Sequence, residues 1–246
     1  MTRADDVIKV GLIVPPLDGS VPPDAAAMYP DVAFEVAGLG VRGLTAAGYG
    51  EAVGRVEDTA RVLASRGVSA ILLFGTSLSF FKGPAFNGEL EATMREASGV
   101  PALTLTSAMI QALELLRVRR IAVATAYTGE VDAMFRRYFE ACGFEIERIS
   151  GLGITALTEV EAVAPETIAD LARKVAMDAP DAEAVVLSCA GMRTTPVTAA
   201  LERELGKPVI SSAMVGSWAA VRLAGSSGIS PGMGCLYETG AWHAEP

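Results

Sequence analysis

The segments Ala70-Ile-Leu-Leu-Phe-Gly75-Thr76-Ser77 and Ala184-Val-Val-Leu-Ser-Cys189-Ala190-Gly191 read as one pattern written twice. Each is a short apolar run that stops at small or polar residues, the mark of a buried strand ending in a loop. Gly75 in the first stands where Cys189 stands in the second, 114 residues later. One copy carries a thiol at that place and the other carries no side chain. Two further matches keep the same order. Lys9-Val-Gly-Leu-Ile-Val resembles Arg120-Ile-Ala-Val-Ala-Thr, and Val100-Pro-Ala-Leu-Thr-Leu-Thr-Ser-Ala-Met resembles Lys207-Pro-Val-Ile-Ser-Ser-Ala-Met. Offsets of 111 (Lys9 to Arg120) and 107 (Pro101 to Pro208) differ from 114 by no more than loop insertions would introduce. The bland reading is that all α/β strands look alike; three matches in one order favour a duplicated chain.

Strands are expected at Val7–Val14, Ala70–Phe74, Ala102–Leu105, Arg120–Ala124, Ala184–Ser188 and Val209–Ser211. Helical patterns lie between them. Gly50–Arg66 places Val53, Val56, Ala60, Val62 and Leu63 inward and ends at Gly67. Pro84–Ser98 ends at Gly99. Gly129–Cys142 aligns Val131, Met134, Phe135, Tyr138, Phe139 and Cys142 on one stripe and ends at Gly143. Pro165–Met177 follows, and then Thr195–Leu205 with Thr195 as N-cap and Pro196 in the first turn. Continuous apolar strands alternating with helices predict an α/β fold of two pseudosymmetric halves, each a mostly parallel four-stranded sheet flanked by helices. The expected division is 1–115 plus 214–246 for the first half and 116–213 for the second. In such sheets a ligand sits beyond the carboxyl ends of the strands. Those ends carry Pro15-Pro16, Gly75-Thr76-Ser77, Ala126-Tyr127-Thr128 and Cys189-Ala190-Gly191, which predicts one pocket in the cleft between the halves.

The 246 residues, 51% apolar and 20% charged, suffice for a large core. No apolar run approaches the roughly 20 residues needed to cross a bilayer. Met1-Thr-Arg-Ala-Asp-Asp-Val-Ile-Lys has no apolar signal-peptide core. A cytoplasmic protein, monomeric or a small homo-oligomer, is expected. The net charge of −9 argues against nucleic acid and anionic membranes as partners. Cys142, Cys189 and Cys235 form no disulfide framework and no zinc pattern, so no metal is expected. The only histidine is His243, near the end of the chain. Acid–base work therefore falls to Cys, Tyr, Asp, Glu or Lys.

Gly75-Thr-Ser-Leu-Ser79 offers hydroxyls and closely spaced N–H groups, either an anion nest or an ordinary βα turn. Cys189 stands at a strand end near the helix expected from Thr195. Backbone N–H groups and a helix N-terminus there would lower its pKa; the bland reading is a buried structural thiol. Its place opposite the Gly75 loop favours the functional one. Cys142 reads as core, and Cys235 has no partner motif. Tyr127 ends a strand and either donates a hydrogen bond into the cleft or packs as an ordinary aromatic. Gly38-Leu-Gly-Val-Arg-Gly43 fits the dinucleotide fingerprint in letters only, because no strand is expected before it.

Taken together, Ile13-Val-Pro-Pro16, Met28-Tyr-Pro-Asp31, Gly75-Thr-Ser-Leu-Ser-Phe80, Ala85-Phe-Asn87, Ala124-Thr-Ala-Tyr127, Leu187-Ser-Cys189 and Ala219-Val-Arg-Leu-Ala-Gly225 resemble the bacterial arylmalonate decarboxylases of the Asp/Glu racemase superfamily. The resemblance runs nearly end to end. It implies a cofactor-free enzyme acting on a small dicarboxylate. Racemases of that superfamily carry one cysteine per half, and the decarboxylases keep only the second. By residue-for-residue match, the retained carboxylate would sit in a dioxyanion hole made by Thr76, Ser77 and Tyr127, with the backbone N–H groups of Ser77 and Ala190. Gly75 and Gly191 flank it. The leaving carboxylate would occupy an apolar pocket of Pro15, Val41, Leu44, Ala126, Leu157 and Val160. Cys189 would protonate the enediolate on one face.

The chain departs from that pattern at Ala190, where glycine is expected, and at Met192, where leucine is expected. Val41, Leu157 and Val160 also differ, which leaves the substrate's side groups open. The reading is cofactor-free decarboxylation of an α-aryl or α-alkenyl malonate to a chiral monocarboxylic acid. The alternatives are a maleate cis–trans isomerase or an Asp/Glu/hydantoin-type racemase of the same fold, or a non-catalytic carboxylate-binding protein.

Overall fold

Strands β1 (Lys9–Val14), β2 (Ala33–Gly38), β3 (Ala70–Leu73) and β4 (Ala102–Thr104) form one sheet in the order β2-β1-β3-β4 in the computed structural model, which describes residues 8–41 and 43–239. Strands β5 (Arg120–Thr125), β6 (Glu145–Gly151), β7 (Ala184–Ser188) and β8 (Val209–Ser211) form a second in the order β6-β5-β7-β8. Every pairing among them is parallel. The helices are α1 (Pro23–Met28), α2 (Ala46–Val53), α3 (Val56–Ser65), α4 (Thr76–Phe80), α5 (Pro84–Ser98), α6 (Leu105–Leu115), α7 (Gly129–Ala141), α8 (Leu157–Glu161), α9 (Pro165–Asp178), α10 (Thr198–Leu205), α11 (Ser212–Leu223) and α12 (Cys235–Thr239). Val7 and His243 lie outside the described residues, as does the stretch from Gly240 onward.

The duplication extends to individual hydrogen bonds. Val10 pairs with Ala70 in the first sheet as Ile121 pairs with Ala184 in the second. Beyond the strands, Leu39 N–H donates to Val14 O and Leu152 N–H to Thr125 O, at 2.8 and 3.0 Å. Val41 N–H likewise donates to Pro15 O and Ile154 N–H to Ala126 O, both at 2.9 Å. A glycine closes β2 and β6 for the same reason. A Cβ on Gly38 would lie 2.2 Å from Pro16 O, and one on Gly151 would lie 2.2 Å from Tyr127 O.

The central strands are buried along nearly their whole length, and this made them legible. The edge strands β2 and β6 were not expected. Ala33-Phe-Glu-Val-Ala-Gly38 is half-buried throughout and Glu145-Ile-Glu-Arg-Ile-Ser-Gly151 mixes exposed and half-buried residues, so neither makes a continuous apolar run. Strand β2 therefore does precede Gly38-Leu-Gly, contrary to the reason given for dismissing that motif. The next helix nevertheless opens only at Ala46, with the Thr45 hydroxyl accepting from Gly48 N–H.

The helix expected over Gly50–Arg66 is two helices. It breaks at Gly54 and Arg55, where the Arg55 side chain turns back to donate to Leu39 O and Gly40 O. Val62 points to solvent, 46% exposed, rather than inward. Cys142 caps α7 and is only half-buried. The last helix of the second half starts at Thr198 with Val197 as N-cap, not at Thr195.

The halves are joined by side chains that reach across. Phe80 on α4 meets Tyr127 and Phe135 edge-on, with ring centroids 5.9 and 5.6 Å away. Edge-on pairs add about 0.5–1.5 kcal/mol beyond burial, so α4 is fixed against the second half. Leu44 N–H donates to Thr155 O at 3.0 Å. Helix α11 lies against α1, α6 and β3, and also against β7 and β8.

Candidate active site

At the carboxyl ends of β1, β3, β5 and β7 lies a cavity of about 400 Å³. Open α/β sheets bind ligands at this edge, and the volume suits a small organic molecule. From the first half come Pro15, Leu44, Gly75, Thr76 and Ser77; from the second come Tyr127, Leu157, Cys189, Ala190 and Gly191. Ten positions singled out from the sequence thus meet in one wall. Val41, Ala126 and Val160 are buried and do not line it. Val160 packs against the wall from outside: a Cβ on Gly191 would press on Val160 Cγ1 at 3.0 Å.

Thr76 and Ser77 open the short helix α4 directly after Gly75. That turn is tied down by hydroxyls. Ser79 Oγ donates to Thr76 O at 2.9 Å, Thr106 Oγ1 on α6 donates to the same carbonyl at 3.0 Å, and the two hydroxyls meet each other. Thr76 Oγ1 is buried and has no hydrogen-bond partner. A buried hydroxyl without a partner forfeits roughly 1–3 kcal/mol, so the turn holds an unused donor.

Tyr127 is fully buried and accepts from Ser188 Oγ at 3.5 Å, which leaves its own proton free to donate. Burial holds its pKa well above the ordinary value, and the adjacent Cys189 adds to this. It is a neutral donor at physiological pH. Its N–H is held by Thr125 Oγ1, which in turn donates to Asp132 at 2.6 Å.

Cys189 is 6% exposed. Burial pushes its thiol up to about 11, although the Gly191 N–H and the Tyr127 hydroxyl partly offset this. The expectation of a lowered pKa is therefore corrected. The nearest following helix begins only at Thr198, and desolvation is the largest influence on the thiol. The group is a thiol, not a thiolate, at neutral pH. Its backbone has φ +149°, a region in which only glycine is at ease. Such a conformation costs about 1–3 kcal/mol and persists only where the surroundings impose it.

Several residues of the wall, and the buried Tyr49, which does not line the cavity, had no signal in the sequence reading. Tyr49 on α2 is fully buried, and its hydroxyl lacks a hydrogen-bond partner. Burial raises its pKa. Ser20, Val21, Pro22 and Pro23 line the mouth, as do the exposed Arg193 and Glu161. The loop following β1 carried one usable signal, since it leaves the carboxyl end of a central strand.

Among the described residues, no group of three His, Cys, Asp or Glu side chains could hold a metal ion. Among the same residues, no helix is long and apolar enough to cross a membrane.

A family model described as arylmalonate decarboxylase matches residues 10–237. The arylmalonate decarboxylase of Bordetella bronchiseptica is 40% identical over 230 residues, which cover 93% of this chain and 96% of that one. A crystal structure of a glycine-to-cysteine, cysteine-to-serine double mutant of arylmalonate decarboxylase in its liganded form superposes with a TM-score of 0.92. It is 38% identical and covers 95% of this chain and 100% of the other. A maleate isomerase of Nocardia farcinica is 28% identical over 93% of this chain and 94% of its own length.

Proposed function

Because the chain belongs to the arylmalonate decarboxylase family, we propose that it releases carbon dioxide from an α-aryl or α-alkenyl malonate and yields a chiral monocarboxylic acid. The observation that carries the reading is a pairing across one cavity. A buried, protonated thiol stands on the second half's wall, and a buried hydroxyl with no partner, Thr76, stands on the first half's.

The retained carboxylate accepts from Thr76, Ser77 and Tyr127 and from the N–H groups of Ser77 and Ala190. The other carboxylate lies towards Pro15, Leu44 and Leu157, with Val41, Ala126 and Val160 behind. Apolar walls solvate a carboxylate poorly and neutral carbon dioxide well, so cleavage relieves the mismatch. The C–C bond breaks, its electron pair enters the enediolate, and carbon dioxide leaves. The fixed donors stabilise the growing charge as an oxyanion hole does. An aryl or alkenyl group spreads that charge, so the substrate supplies its own electron sink. The Cys189 thiol then gives its proton to the planar carbon, and the resulting thiolate regains a proton from water.

The rival within the fold is isomerisation of maleate. The lone thiol in the wall weighs against a two-cysteine mechanism, because Gly75 stands where the second would be. The test is incubation with phenylmalonate and with maleate. Carbon dioxide release from the malonate, abolished in Cys189→Ser, is expected. Fumarate from maleate with no release from any malonate would overturn the reading.

A further inference from the structure

Asp24 lies on α1, outside the cavity wall, and is 2% exposed. Its carboxylate accepts four hydrogen bonds, all from two residues 170 and 171 positions away in the second half. Thr194 donates to Oδ2 through its N–H at 2.9 Å and its hydroxyl at 2.6 Å. Thr195 donates to Oδ1 through its N–H at 3.3 Å and its hydroxyl at 2.9 Å. Among the described residues no lysine or arginine pairs with it. A buried carboxylate without a cation depends on such donors. Thr194 and Thr195 begin the turn that leads into α10, whose N-cap residue is Val197.

Thr194 is also one end of the loop that starts at Cys189. At the other end, Cys189 N–H donates to Ser212 Oγ at 3.2 Å, and Met192 N–H donates to Cys189 O at 3.1 Å. The hydroxyl of Ser211, next to Ser212, meets the Thr194 hydroxyl. The strained φ of Cys189 is thus held between two anchors, one of which comes from the opposite half. Pro22 and Pro23, directly before Asp24, line the cavity.

We propose that Asp24 is a positioning residue: by clamping Thr194 and Thr195 it holds the Cys189–Arg193 loop so that the thiol meets the cavity from one side, and thereby sets the enantiomeric purity of the product. This rests on the decarboxylase reading. When the clamp is lost, the loop relaxes, the thiol drifts from the reacting carbon and water protonates either face.

The test uses the full chain and three variants, Asp24→Ala, Asp24→Asn and Thr195→Val. Three quantities are measured: the enantiomer ratio from 2-methyl-2-phenylmalonate, kcat and KM, and the rate of iodoacetamide labelling of Cys189 read by peptide mass. Asp24→Ala is expected to lower the enantiomer ratio and to raise Cys189 labelling, each by about tenfold or more, since hydrogen bonds to a buried charge are strong. The fall in rate is expected in kcat, with KM nearly constant. Asp24→Asn keeps one acceptor oxygen and is expected midway; Thr195→Val loses one hydroxyl and shifts least. A purely structural role would lower the melting temperature and leave the enantiomer ratio alone. A folded Asp24→Ala with parental ratio and labelling overturns the proposal. If Asp24→Ala does not fold, parental values in both other variants overturn it. If the parent releases no carbon dioxide from any malonate, the decarboxylase reading fails, and the labelling rates alone decide whether the clamp exists.

Discussion

Gly75 and Cys189 occupy the same station after the equivalent strands β3 and β7 and line one cavity, yet their backbones differ: φ is −143° at Gly75 and +149° at Cys189. The residue with a side chain holds the conformation that suits glycine, and the glycine holds one that any residue adopts. The backbone therefore does not force glycine at position 75. A Cβ there meets chiefly Leu78 Cδ1, at 2.7 Å, the movable end of a side chain.

That asymmetry predicts the behaviour of the exchange variant. Gly75→Cys combined with Cys189→Gly is expected to give the product of opposite hand, because the proton then arrives from the first half. The rate is expected to fall about a hundredfold, as reacting groups set by another loop are less well placed. Chiral chromatography of the product decides it; the parental hand would refute delivery of the proton across the cavity.

The buried thiol sets the alkaline limit. Burial disfavours the thiolate, so the folded chain keeps the Cys189 proton up to about pH 11, whereas an exposed cysteine loses it near 9. The profile of kcat/KM is expected to fall with a midpoint near 11. The same group's contribution to folding is whole below pH 9 and is lost as pH rises through 11, because only the unfolded chain ionises in that window. A kinetic midpoint at 9 or below would contradict the thiol as acid.

Thr76 tests the oxyanion site from the other wall. Its hydroxyl makes no hydrogen bond in the fold, so Thr76→Val removes no native bond and relieves a buried polar group. The melting temperature is expected to hold or rise, by about 1 kcal/mol of stability. Decarboxylation is expected to fall about 10²-fold. A parental rate in a folded Thr76→Val would remove Thr76 from the site.

Asp132 supports Tyr127 through Thr125, and burial raises its carboxyl to about 6, partly offset by that hydrogen bond. The unfolded carboxyl titrates near 3.8. The contribution of Asp132 to stability therefore declines as pH rises between about 4 and 6. Asp132→Asn keeps the acceptor oxygen and has no charge to bury. It is expected to melt higher than the parent above pH 6 and equally below pH 4. Equal melting at pH 7 would contradict the raised pKa.

The fold was legible where burial is continuous. Ala70–Leu73 and Ala184–Ser188 are buried at every residue, so composition alone marks them as strands. The strands at Ala33 and Glu145 escaped notice because an edge strand with one wet face mixes Glu and Arg among its apolar residues. The wall positions next to a strand end, such as Thr76, Tyr127 and Cys189, were legible for the same topological reason. Tyr49, Arg193 and Asp24 were not, since nothing local distinguishes them from other surface or core residues.

The sequence by itself determined the duplication, the parallel α/β architecture and the single thiol set against glycine, because these are patterns of residue type along the chain. Only the tertiary structure decided the protonation state of Cys189, the strain in its backbone and the clamp from Asp24. Each depends on what another part of the chain brings to within a few ångströms: a buried wall that desolvates the thiol, and a carboxylate from the first half that ties down the loop of the second.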